Sequence, residues 1–133
     1  MRLLRFSLPA FYAVALALGL STGCGWGVAS ISDQELLARM GASDPPLVLD
    51  VRSPKEYAAG HISGAVNLPY DQVEDRVDEL GTSRDRQVVV YCEHGPRAFR
   101  ALGALEDAGF RALRPLGGDM SGWRKKQLPC TGC

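Results

Sequence analysis

The run Val88-Val89-Val90-Tyr91, followed at once by Cys92, constrains this chain more than any other stretch. An unbroken series of β-branched and aromatic residues is the pattern of a strand buried on both faces. Such a strand needs helices above and below it, which points to a parallel sheet in an α/β structure. The residues after Cys92, namely Glu93-His94-Gly95-Pro96-Arg97, make a tight loop that leads into a helix.

The remaining segments fit that frame. Ser32 with Glu35 has the spacing of a capping box, and Ile31 with Leu36 that of a hydrophobic staple, predicting a helix from Asp33 to about Met40. Pro45-Pro46 stops it, and Leu47 to Val51 reads as a second buried strand. Ser53-Pro54-Lys55-Glu56 repeats the start signal for a short helix to Ala59, closed at Gly60. Ala65 to Leu68 reads as a short strand, and Asp71 is expected to cap a helix carrying Val73, Val77 and Leu80. A helix from Arg97 to Ala108 buries Ala98, Leu102 and Leu105; Ala112 to Leu116 forms the last strand and Asp119 to Lys126 the closing helix. Strand and helix thus alternate. Ligands of such sheets bind beyond the carboxyl ends of the strands, where Cys92 stands.

The two ends of the chain carry separate signals. Arg2 and Arg5 precede an uncharged, mostly apolar run from Phe6 to Leu20, the layout of a secretory signal. Leu20-Ser21-Thr22-Gly23-Cys24 resembles a lipobox. Residues 1–23 are therefore expected to be a signal peptide with lipid on Cys24, followed by a linker at 24–30, a folded domain at 31–128 and a tail at 129–133. Plain cleavage or an uncleaved anchor are the alternatives, and each places the domain outside the cytoplasm, in the periplasm or cell envelope. The chain has 15 Lys+Arg against 15 Asp+Glu, so loss of Arg2 and Arg5 leaves it slightly acidic and gives no case for nucleic acid. Arg124-Lys125-Lys126 reads as a solvated helix end. Cys130-Thr131-Gly132-Cys133 has no second Cys pair or His cluster to support a metal, and reads as a local disulfide or mobile tail; a relay serving Cys92 is the alternative.

A Cys between a buried strand and a helix start lies over N–H groups without intrahelical partners and over the positive end of the helix dipole. That setting favours the thiolate, the nucleophilic form. Gly95 can take positive φ and let the backbone close around the sulfur, while Arg97 would close the ring with a permanent charge.

These residues, together with Leu49-Asp50-Val51-Arg52, Glu56-Tyr57, Gly60-His61-Ile62, Asn67-Leu68-Pro69 and Gly117-Gly118 to Trp123, resemble the rhodanese family in order, over roughly Ile31 to Leu128. The resemblance implies a sheet of about five strands with helices on both faces and a sulfurtransferase without a cofactor. Cys92 would attack a small anionic sulfur donor such as thiosulfate and become a persulfide. A thiol, one on a protein included, or cyanide would then take the sulfur. Glu93, His94, Gly95, Pro96 and Arg97 would form the substrate-binding loop, with Asp50 and Arg52 behind it as an ion pair or hydrogen bond; Arg52 paired with Glu56 is the alternative. A non-catalytic binding or sulfur-sensing module is the second reading. A Cys-dependent phosphatase is a third, disfavoured because only four residues separate Cys92 from Arg97 where a phosphate cradle has five. Glu93 sets a carboxylate beside an anion site and Pro96 removes an N–H donor, so both are expected to disfavour thiosulfate. His61 is expected to be a satisfied structural residue, His94 an exposed loop tip and Trp123 a core or rim anchor. Ser63 and Ala98 stand where the family often has Pro and Ser.

Overall fold

The computed structural model describes residues 28–133. The expected signal segment, Cys24 and the first part of the expected linker lie outside the described residues. Among the described residues no helix is long and apolar enough to cross a membrane.

The chain alternates as the sequence predicts, through α1 (Asp33–Met40), β1 (Leu47–Asp50), α2 (Pro54–Ala58), β2 (His61–Ile62), β3 (Val66–Asn67), α3 (Val73–Arg76), β4 (Val88–Tyr91), α4 (Pro96–Asp107), β5 (Leu113–Pro115), α5 (Asp119–Lys125) and β6 (Cys130–Thr131). The main sheet is parallel with strand order β3-β1-β4-β5. It has four strands rather than about five. A single parallel bridge from Ile31 to Leu116 stands at the remaining edge, because Ser32 already caps α1 and leaves no residues to extend a strand.

Both central strands, β1 and β4, are buried at every position, as their uninterrupted apolar pattern requires. Side chains alternate between faces. Leu47, Leu49, Val88 and Val90 pack with Val73, Ala98, Leu102 and Leu105 beneath α3 and α4. Val48, Val89 and Tyr91 pack with Leu36, Met120 and Trp123 beneath α1 and α5. Helices thus cover both faces, and the loop after β4 emerges between α4 and α5.

Three local expectations change. At α1, Ser32 Oγ accepts the Glu35 N–H at 3.1 Å, but the return half of the box is missing because the Glu35 carboxylate binds Arg114 at 2.6 Å and Arg39 at 3.2 Å. Asp71 caps nothing. It sits inside a 3₁₀ turn, Tyr70–Gln72, and α3 starts from Gln72 before passing into a second 3₁₀ turn, Val77–Leu80. The C-terminal tail is also a strand: β6 pairs antiparallel with β2, setting His61 against Thr131 and Ile62 against Cys130. Cys130 and Cys133 form a disulfide with Cα atoms 5.8 Å apart. It lies over Gly60, where a Cβ would come within 2.7 Å of Cys133 Sγ.

Candidate active site

Cys92 sits at the carboxyl end of β4 and is only 1% exposed. Gly95 turns the chain back at φ 113°, a conformation that a side chain would strain. That turn aims the Gly95 N–H at Cys92 Sγ, 3.0 Å away. Pro96 follows as the first residue of α4, where its lack of an N–H breaks no helix bond. The loop is braced from α5 by the Met120 N–H donating to the Cys92 carbonyl at 3.0 Å and the Ser121 N–H to the Glu93 carbonyl at 3.3 Å.

One wall of the loop is built from β1 and the turn after it. Asp50 and Arg52 are buried, at 0% and 1% exposure, and form the expected ion pair, with Nη2 donating to Asp50 Oδ2 at 2.6 Å. Arg52 also donates to the Gly60 carbonyl at 2.7 Å and to Glu93 Oε2 at 3.2 Å. Asn67 Nδ2 donates to the carbonyls of Asp50 and Arg52, both at 2.9 Å, and fixes the turn that carries them. The hydroxyl of Tyr91, held well above the usual tyrosine range by burial and by the neighbouring Asp50 charge, accepts the Ile62 N–H at 3.1 Å.

This wall alters two sequence expectations. Arg52 does not pair with Glu56; it turns inward because Asp50, Gly60 and Glu93 offer it acceptors in a dry site. Glu93 does not confront the sulfur as an uncompensated charge, since Arg52 and Arg124 both bind its carboxylate. Arg124, exposed at the end of α5 as expected, is in addition an ion partner of the loop.

Arg97 does not close over the sulfur. Its two Nη atoms hold both oxygens of Glu56, each at 2.8 Å, and the same Glu56 completes the capping box of α2 by accepting the Ser53 N–H at 3.0 Å. Arg97, and after it the Ser53 bonds, hold the Glu56 carboxyl far below the usual carboxylate range. Beside this pair a pocket of about 160 Å³ opens between Ser53, Pro54, Tyr70 and Arg97.

The remaining candidates are peripheral. His94 is exposed at the loop tip. His61 stacks on Tyr57 with ring centroids 3.7 Å apart, and its Nδ1 lies 2.9 Å from the Tyr57 carbonyl, a satisfied structural role. Trp123 is buried with its indole N–H on the Pro129 carbonyl at 3.0 Å. Ser63 Oγ faces Thr131 Oγ1 at 3.2 Å, and Ala98 packs in the core. Among the described residues no three His, Cys, Asp or Glu gather in a group that could hold a metal.

Sequence reasoning missed Asp119, which it assigned only to the start of a helix. Its Oδ1 accepts the Cys92 N–H at 2.9 Å. Burial raises its carboxyl above the usual range, and the nearby Glu93 charge pushes the same way; the Cys92 N–H and thiol and the nearby His94 pull it back. No sequence signal pointed to it, because the positive φ that turns Asp119 toward Cys92 is set by the packed fold.

A rhodanese-like domain matches residues 32–126. A sulfurtransferase of Allochromatium vinosum is 32% identical over 102 residues, which cover 77% of this chain and 94% of that protein. The thiosulfate sulfurtransferase PspE of Escherichia coli is 31% identical over 70 residues, 53% of this chain and 67% of that one. Among solved structures, a thiosulfate sulfurtransferase from Pseudomonas aeruginosa superposes with a TM-score of 0.71 at 28% identity, over 77% of this chain and 20% of its own. A rhodanese-related protein from Thermoplasma volcanium gives 0.67 at 27% identity, over 78% of this chain and 98% of its own.

Proposed function

Because this chain belongs to the rhodanese-like domain family, we propose that it is a sulfurtransferase that carries a sulfane sulfur as a persulfide on Cys92. The observation that carries this reading is the Gly95 N–H aimed at Cys92 Sγ from 3.0 Å. An N–H fixed on a sulfur above a helix start favours negative charge there, both on the attacking thiolate and on the persulfide that follows.

Two displacements make up the cycle. The Cys92 thiolate attacks the outer sulfur of a donor such as thiosulfate; the Sγ–S bond forms, the donor S–S bond breaks, and sulfite leaves with the electron pair. A thiolate or cyanide then attacks the terminal sulfur, and Cys92 leaves as the thiolate. The loop supplies backbone and position and no redox group is needed. Arg97, committed to both oxygens of Glu56, braces the loop against α2 and does not clasp the reacting group, which agrees with a sulfur site better than with a phosphate cradle.

Thiocyanate production from a sulfane donor and cyanide tests the reading. Cys92→Ser should lower it by about a thousandfold or more. If the unaltered protein produced no thiocyanate from any sulfane donor, the chain would be a binding module on this fold.

Export is a separate part of the proposal. It rests on Arg2, Arg5, the apolar run and the Gly23-Cys24 pair, and a Cys130–Cys133 disulfide suits an oxidising compartment. Lipidation predicts globomycin-sensitive processing, and a Cys24→Ala protein that is processed and fractionates unchanged would contradict it.

A further inference from the structure

Asp119 occupies a backbone conformation that its residue type seldom takes. Its φ is 49°, in the left-handed region that glycine enters freely and Asp only with some strain. The carboxylate does not serve α5, whose N-cap is Gly118 without any side-chain bond. Instead Oδ1 crosses to the Cys92 N–H at 2.9 Å, and Oδ2 lies 3.6 Å from where a Cβ on Gly95 would stand. The acid therefore spans from the backbone of the reacting Cys to the residue whose N–H faces the sulfur.

Its charge is also unbalanced. Glu93 is held by two arginines, whereas among the described residues Asp119 has no cation within ion-pair distance. The charged and titratable groups around it are Cys92, Glu93 and His94 on the loop and Arg124 and Lys125 on its own helix, with Arg124 already engaged by Glu93. The loop, meanwhile, offers an anion fewer donors than its length suggests. Asp119 occupies the Cys92 N–H, and Pro96 has none.

We propose that Asp119 is a specificity-determining residue that favours sulfane donors carrying at most one negative charge over the thiosulfate dianion. The inference rests on the sulfurtransferase reading and names the donor class of that same site. The chemistry is unchanged for a singly charged donor such as methanethiosulfonate. The Cys92 Sγ–S bond forms, the donor S–S bond breaks, and methanesulfinate leaves with the electron pair, so charge and atoms balance without an oxidant. What differs is the repulsion between the donor and Asp119, which is larger for the second charge.

Asp119→Asn isolates that charge. Asn keeps an oxygen for the Cys92 N–H and accepts positive φ at least as well. Comparing kcat/KM for thiosulfate and methanethiosulfonate, both fully ionised across neutral pH, the variant should shift the ratio toward thiosulfate by about fivefold, the scale of removing one unit charge near another in a partly solvated site. In the unaltered protein the same ratio should move toward thiosulfate as pH falls through the raised range of Asp119, and in the variant it should stay flat. An unchanged ratio, or equal losses with both donors, would overturn the proposal and leave Asp119 a structural residue. Failure of either donor to leave sulfur on Cys92 of the unaltered protein, read by mass spectrometry, would instead overturn the sulfurtransferase reading beneath it.

Discussion

On the β1 side of Cys92 every buried charge has a partner, whereas on the α5 side one carboxylate meets the loop without a cation. Asp50 and Arg52 neutralise each other in a dry site, and Arg52 has further acceptors in Gly60 and Glu93. Asp119 is held by the Cys92 N–H and the Cys92 thiol, with no cation in ion-pair distance among the described residues. The first arrangement is what burial demands, because an unpaired ion in an apolar interior is costly. The second is tolerable because Asp119 is only partly buried, and its charge acts on whatever approaches Cys92. The β1 wall fixes the loop, and the α5 wall tunes what the loop accepts.

Removing Arg52 should have the largest effect on the β1 wall. Arg52→Ala leaves the Asp50 carboxylate buried alone, and denaturant unfolding should show a loss of about 3–5 kcal/mol; a loss near that of a surface substitution would mean the wall is not held by its charges. The disulfide braces the same wall from outside, since Cys133 packs on Gly60, whose carbonyl Arg52 holds. Cys130→Ser with Cys133→Ser should lower stability by about 2 kcal/mol in a thermal melt, the scale for a short closed loop.

Glu56→Gln weakens both the α2 cap and the tie to Arg97, and should cost about 1 kcal/mol by chemical denaturation at neutral pH. Because the Glu56 carboxyl is depressed in the fold, its contribution is present above its ordinary value of 4.5 and fades as pH falls toward the depressed one. The penalty of the variant should therefore shrink in acid. Asp119 runs the opposite way. Its raised carboxyl binds protons more readily in the fold, so it favours the folded state in acid and opposes it once pH rises through the raised value. Asp119→Asn should accordingly gain up to about 0.5 kcal/mol at neutral pH, measured by unfolding midpoints, with the gain vanishing below the ordinary Asp range.

How far these features can be read from sequence depends on the distance over which their causes act. The β4 run and the Ser53–Glu56 box are legible because their determinants are neighbours in the chain. The Ser32–Glu35 box is only half formed because Arg114, 79 residues away, competes for the Glu35 carboxylate. β2 and β6 have two residues each, too few to show a period. At the site, Cys92 and Gly95 stand where the loop pattern puts them, but Glu93 is neutralised by Arg52, 41 residues away, and Arg124, 31 away. Asp119 reaches Cys92 across 27 residues, between segments that carry no common pattern. Local grammar places the sulfur, and only the packed sheet shows which charges surround it.

Whether Cys92 carries the sulfur is read by mass spectrometry of the protein after exposure to a sulfane donor and gel filtration. The protein should gain one sulfur atom, mapped to the peptide bearing Cys92, absent in Cys92→Ala and discharged by cyanide. A sulfur gained equally by Cys92→Ala, or no gain with any sulfane donor, would contradict it.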